Sequence, residues 1–311
     1  MVRWRWRGCA LATLVALARS GGTLPVRWIG HRRVDCRRHR RPQDVLPVRV
    51  KVGAFGTGRP RRDLVLSPDH AVHGSALADG PAVLVPVRYL VNGATIVQEA
   101  ADAISYFHVE LDRHDVLLAE GLPTESYLDT ANRSVFANGG GPVVLHADFS
   151  RRVWEARGCA PLVLEGAVLA GLRRRLLERA SELGHGATAD AGLRLEVGGA
   201  AVEPQACGDT LYVALPDGAR ELALLSRSFV PAEVQAAACD TRRLGIAVAF
   251  DEAPVALDGP RLLDGWHAAE GGWRWTDGTA RLDVRVACLV MLRLAPVGAC
   301  RYWLAAVARA A

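Results

Sequence analysis

The stretch Asp63-Leu-Val-Leu-Ser-Pro-Asp-His70 is answered roughly forty positions later by Tyr106-Phe-His-Val-Glu-Leu-Asp-Arg-His-Asp115 and Leu118-Ala-Glu-Gly121. In the first block a short aliphatic run stops at Ser67-Pro68, where the proline ring fixes φ and sets a tight turn that aims Asp69 and His70. In the second block Tyr106, His108 and Glu110 alternate as one face of a strand, after which the chain turns through Asp112, His114 and Asp115. Each block thus delivers a histidine and a carboxylate at the end of a strand. Imidazole changes charge near neutral pH, so both blocks are suited to moving protons.

Working outward, the pattern remains one of short strands. Pro25 to Ile29, the alternating Val48 to Val52, and Ser105 to Leu111 read as strands. Val85 to Val91 and Ala94 to Gln98 flank Asn92-Gly93, a pair that tolerates positive φ and predicts a type I′ hairpin. The basic run Arg32 to Arg41 predicts a solvated loop, since no aromatic residues for base stacking interleave with it. Asn138-Gly-Gly-Gly141 marks a hinge or boundary. Between Glu165 and Leu183, Leu169, Leu172, Leu176, Ala180 and Leu183 recur at spacings of three and four, and Gly184 stands as a C′ residue, so a helix is predicted that links two units. Beyond Leu193, regularly spaced short strands with turn residues between them predict a β-sandwich. The expected fold is mainly β: an atypical segment at 1–24, an all-β module at 25–135, a linker with a helix at 136–190, and a β-sandwich at 191–311.

The two blocks, their order and their spacing resemble the Hint fold, the self-processing module shared by inteins and hedgehog proteins, over roughly Pro25 to Asn132. Ser67-Pro-Asp-His70 stands where that family has Thr-x-x-His, and Tyr106 to Gly121 resembles its later block. The resemblance implies a Hint-type all-β module and cysteine-dependent autoproteolysis, in which an opening cysteine attacks the preceding carbonyl and converts an amide to a thioester. It implies His70 as proton donor to the scissile nitrogen, with Asp69 beside it in the turn, Ser67 orienting the bond, and His114 assisting with Asp112 or Asp115. His108 reads as a cross-strand partner. The substrate would be the chain's own N-terminal flanking polypeptide. Two departures stand out. The family's Cys-Phe-x-x-Gly-Thr opening is missing, the one early cysteine being Cys9 in Arg7-Gly-Cys-Ala-Leu11, and Ala131-Asn132-Arg133 replaces the terminal His-Asn of splicing inteins. Splicing is therefore not expected, the chain as written is expected to be inert, and its start is expected to be misplaced or frame-shifted, with a signal peptide as the second reading.

Composition sets the outer bounds. The 311 residues suffice for two domains, and 50% apolar with 23% charged content is that of a chain able to bury a core. The net charge of +5 comes from arginine, Lys51 being the one lysine, and carries no nucleic-acid signature. Seven cysteines without a Cys-x-x-Cys pair suggest neither a disulfide framework nor a zinc site, and core filling is expected of most. The apolar run near the start is short of the ~20 residues of a membrane span. Localisation stays open, the signal-like start leaning toward a secreted or surface protein. Two other functions are weighed. Trp266, Trp273 and Trp275 could stack on a glycan, although closing the end of a sandwich core is their commoner use. His70-Ala-Val-His73 with His108 and His114 could hold a hydrolytic metal, but a carboxylate ligand at fixed spacing is missing, so neither metal nor cofactor is expected.

Overall fold

The structure, a computed structural model, describes residues 12–19, 21–140, 147–249, 259–285, 287–295 and 300–304. Cys9 and Gly141 lie outside the described residues. The chain divides into two units, the first running through Leu183 and the second starting at Gly184. Both are built mainly of antiparallel strands.

In the first unit, β1 (Leu14–Ala16) pairs with β2 (Thr23–Pro25). The eight-residue β3 (Trp28–Asp35) pairs along its whole length with β9 (Ala103–Glu110). A three-stranded sheet has the order β5 (Leu64–Leu66), β4 (Val48–Val50), β8 (Ile96–Gln98). A four-stranded sheet runs β10 (Val116–Ala119), β11 (Leu122–Glu125), β6 (Ala71–His73), β7 (Leu84–Pro86). The apolar faces of the two larger sheets meet in one core that includes Val48, Leu64, Val72, Val85, Ile96 and Leu122. Helices α1 (Ala147–Arg157) and α2 (Ala167–Glu182) follow.

Three local expectations are corrected. The segments flanking Asn92-Gly93 do not form a hairpin: β7 pairs with β6 and β8 with β4. The buried Asn92 side chain instead accepts the amide N–H groups of Ala94, Thr95 and Ile96, closing a loop with its own hydrogen bonds. Arg32 and Arg33 lie in β3 and not in a loop, because the run is long enough to pair with β9 before turning at Asp35. α2 packs Leu169, Leu172 and Leu176 into the core of the first unit, whereas Leu183, one residue beyond the helix, is 40% exposed. Gly184 has φ of 87°, the left-handed turn that the end of the helix requires.

The second unit is a sandwich. A four-stranded sheet contains Arg194–Val197, Glu221–Leu225 and Thr279–Asp283, and a six-stranded one contains Thr210–Ala214, Leu289–Leu294, Ala247–Ala249 and Trp273–Thr276. Leu195, Leu222, Leu224, Val248, Leu282 and Leu292 fill the space between them. Trp275 is buried against Phe229, and the half-buried Trp266 donates its indole N–H to the Arg281 carbonyl. Trp273 is half-buried against the same small core as Trp275. Among the described residues no helix is long and apolar enough to cross a membrane.

Leu176 is 1% exposed in the core that joins α2 to the first unit. Leu176→Ala is expected to cost about 2–5 kcal/mol through lost burial and the cavity left behind. Leu183→Ala should stay within about 0.5 kcal/mol. Urea unfolding midpoints of the two variants check the difference.

Candidate functional site

β5 delivers the first block. After Leu66 the chain turns, with the His70 amide donating to the Ser67 carbonyl at 3.0 Å. The turn is then fastened from outside: the Arg88 amide donates to the Pro68 carbonyl and the Val87 amide to the His70 carbonyl, both at 3.0 Å. Pro68 supplies the fixed φ, so the direction of His70 is set by a ring and three backbone hydrogen bonds. Asp69 points outward with its side chain 77% exposed, paired with Arg88 at 2.9 Å. Arg88 also reaches Asp44 at 3.2 Å.

β9 brings His108 to the same place. Its ring centroid lies 5.4 Å from that of His70, and the edges of Tyr127 and Phe136 enclose it at 6.0 and 5.2 Å. Burial holds His70 down to about 3, with the neighbouring His108 and His114 adding to the effect. Burial, and then the charge of Arg32, hold His108 down to about 4. Both rings are therefore neutral at pH 7. A narrow cavity of about 50 Å³ is lined by Ser67, His70, His108 and Glu125. A wider cleft of about 230 Å³ is lined by Ser67, Asp69, His108, Glu125, Tyr127 and Trp154.

Glu125, the last residue of β11, joins the two blocks. The β11–β6 pairing sets Thr124 opposite Val72, which brings the Glu125 carboxylate to the amide of Ala71, the residue after His70. One of its oxygens accepts that N–H at 2.7 Å, and the other lies 3.6 Å from Nε2 of His114. The loop carrying His114 is tied to the end of β11 by reciprocal bonds: the Asp115 amide donates to the Ser126 hydroxyl, and the Ser126 amide to the Asp115 carbonyl. Asp112, on the same loop, turns outward to an ion pair with Arg27. The carboxylate beside His114 is thus Glu125, and Asp115 spends one oxygen on the amide of Val116.

The His114 side chain is fully buried. Its Nδ1 lies 3.0 Å from the amide nitrogen of Cys159 and in the neutral ring accepts that N–H, the ring proton then sitting on Nε2, toward Glu125. Burial opposes a charge on this ring, but the Cys159 thiol and the Glu125 carboxylate both favour one and raise it to about 9. His70 and His114, close enough to feel one another's charge, are thereby pushed in opposite directions. Such a separation is the usual mark of a base and an acid in one site. His73 is apart from them, bonded to the Ser75 hydroxyl at 2.7 Å. Among the described residues no three histidine, cysteine or acidic side chains cluster as a metal site.

Sequence reading brought His70, Ser67 and His114 to one region, and left out Glu125, Trp154 and Cys159. Glu125 sits four residues beyond the Leu118-Ala-Glu-Gly121 motif. Cys159 carries no motif at all, since only tertiary folding brings it to His114. A model of the Hint domain family matches residues 14–131. No match to the chain is found among curated proteins or among solved structures.

Because His70 and His108 bind a proton at lower pH folded than unfolded, their contribution to stability is present above about 6.5 and is lost as pH falls from there toward 4 and 3. His114 has the opposite sign: its contribution is full below about 6.5 and fades as pH rises through about 9. NMR titration of the imidazole protons should show His70 and His108 silent from pH 8 down to 5, and His114 titrating on the alkaline side. The drop in Tm between pH 7 and 5 should shrink in a His70→Asn/His108→Asn double variant.

Proposed function

We propose that the Hint domain carried by this chain at residues 14–131 is a self-processing module built for an acyl shift at the peptide bond ahead of it, without splicing. The observation that carries this reading is the neutral His70, fixed by the Ser67–His70 turn at the wall of a cleft it shares with Ser67 and His108. A ring held neutral is a base at rest, and the proton it takes from a nucleophile is the one it can return to a leaving nitrogen.

In this scheme the sulfur of a cysteine at the head of the module attacks the carbonyl carbon of the preceding residue. The carbon–nitrogen bond breaks, and the thiol's proton passes through His70 to the departing nitrogen. The product is a thioester with a free amine, which water then cleaves to a carboxylic acid and the thiol. The Ser67 hydroxyl donates a hydrogen bond to the carbonyl oxygen as charge develops on it. His114 assists, with Glu125 taking the place expected of Asp112, and Asp69 holds the turn through Arg88. No cofactor enters the scheme.

Residues 12–24 contain no cysteine, and Cys9 is not followed by the family's Gly-Thr. The scheme needs a cysteine nucleophile ahead of β1. The experiment is to supply one: a passenger protein and a Cys-Phe-x-x-Gly-Thr segment placed ahead of β1, incubated with dithiothreitol and followed by intact mass. Release of the passenger at the new cysteine is expected, and His70→Ala should slow it by about 10²-fold or more. Cleavage that proceeds equally fast without His70 would sink the proposal.

A further inference from the structure

Strand alternation divides the basic run that opens in β3. Arg33 lies on the outer face and is exposed, whereas Arg32 turns inward and is half-buried. The β3–β9 register sets Arg32 opposite Tyr106 and Gly30 opposite His108, so Arg32 stands one diagonal step from His108 on the same face. There it lines the 230 Å³ cleft that Ser67 and His108 also line. Arg49, Arg88, Arg133 and Arg179, half-buried like Arg32, each pair with a carboxylate. The Arg32 side chain makes no ion pair or hydrogen bond among the described residues. A guanidinium taken partly out of water without a carboxylate partner keeps its charge free for an anionic group that enters the cleft.

We propose that this cleft binds an aromatic monocarboxylate, with the carboxylate on Arg32 and the ring among the aromatic walls. Tyr106, Tyr127, Phe136 and Trp154 all line it. Tyr127 and Phe136 meet edge to face with centroids 5.3 Å apart, a geometry that accepts a further ring. Tyr106 is fixed by its hydroxyl, which donates to the Val45 carbonyl at 2.7 Å, and Trp154 by its edge-on packing against His114 at 5.1 Å. An apolar cavity of about 150 Å³ suffices for benzene. At about 230 Å³ the cleft has room for a ring and a short arm that carries the carboxylate.

Three carboxylates also line the cleft, and each is already engaged. Asp44 and Asp69 are bound by Arg88, at 3.2 and 2.9 Å. Glu125 accepts the Ala71 amide at 2.7 Å and faces His114 on its other side. Their presence limits the charge of a ligand. A monoanion gains a bidentate pair with Arg32, whereas a dianion meets added repulsion from Asp44 and Asp69. The charge of Arg32 is felt by His108 and Asp69, in agreement with its place in the cleft. The site is independent of the acyl-shift reading, because binding alone defines it.

The test is a titration of the intact chain with phenylacetate at neutral pH, followed by calorimetry and by the imidazole proton signals of His108. Saturable binding is expected with a Kd of about 1 mM or tighter, within the range open to a ligand of this size. Phenylacetamide keeps the ring and loses the charge, and acetate keeps the charge and loses the ring. Each should bind at least about tenfold more weakly than phenylacetate, and the dianion phenyl phosphate should also bind more weakly. Arg32→Gln should weaken phenylacetate binding at least about tenfold, while Arg33→Gln, on the outer face, leaves it unchanged. Should Arg32→Gln fail to fold, the comparison of ligands on the parent chain decides alone. No saturable binding of phenylacetate up to about 20 mM, equal or tighter binding of any of the other three ligands, or full affinity in a folded Arg32→Gln variant would overturn the assignment.

Discussion

The Glu125 carboxylate is the constraint on which the site turns. A carboxylate with a nearly buried side chain must find hydrogen-bond donors or positive charge, because leaving it alone out of water costs several kcal/mol. Here it finds both, and the two lie on different blocks of the sequence. The Ala71 amide belongs to the strand that follows the Ser67–His70 turn, and His114 belongs to the loop between β9 and β10. Satisfying one carboxylate therefore forces two segments more than forty residues apart into a single register. The β11–β6 pairing that places it is short, so the side-chain bond to Ala71 adds an anchor where the ladder offers little.

The same neighbourhood sustains two histidines of opposite tendency. His70 and His108 face each other, with Tyr127 and Phe136 around His108, and desolvation is the largest influence on both rings, so both are neutral. His114 is at least as deeply buried, but Glu125 and Cys159 reach it, and those local interactions outweigh the same desolvation. The difference is made by Cys159 and Glu125, which act on His114. Glu125 thus supports the charge on His114 directly and holds the strand after His70 through the Ala71 amide.

The strands and the proline turn were legible because their signals are local: alternation over Val48 to Val52 and Tyr106 to Glu110, and Pro68 locking the residues after it. The helix was legible in Leu169, Leu172 and Leu176 for the same reason. Asn92-Gly93 misled because a turn signal names a local backbone shape and not the strands it joins; the buried Asn92 side chain satisfies the loop internally, and β8 is free to pair elsewhere. Asp112 misled for a related reason. Its nearness to His114 in sequence suggested a partner, but successive loop residues face different ways, and Asp112 is claimed by Arg27 at the surface. Glu125 reaches His114 only through strand pairing, which no spacing in a single sequence displays.

The family match and the physical site have different boundaries. The matched residues end at 131, whereas the ring that packs on His114 is Trp154 and the amide on its Nδ1 is that of Cys159. α2 likewise contributes Leu169, Leu172 and Leu176 to the core that the two larger sheets share. The segment from Trp154 to Leu176 is thus a structural part of the first unit, covering what would otherwise be an open edge at β7 and an exposed buried histidine. The covering segment is tied to the sheet by the backbone bonds of residues 161–163 to β7, and it sets Trp154 and the Cys159 amide against His114.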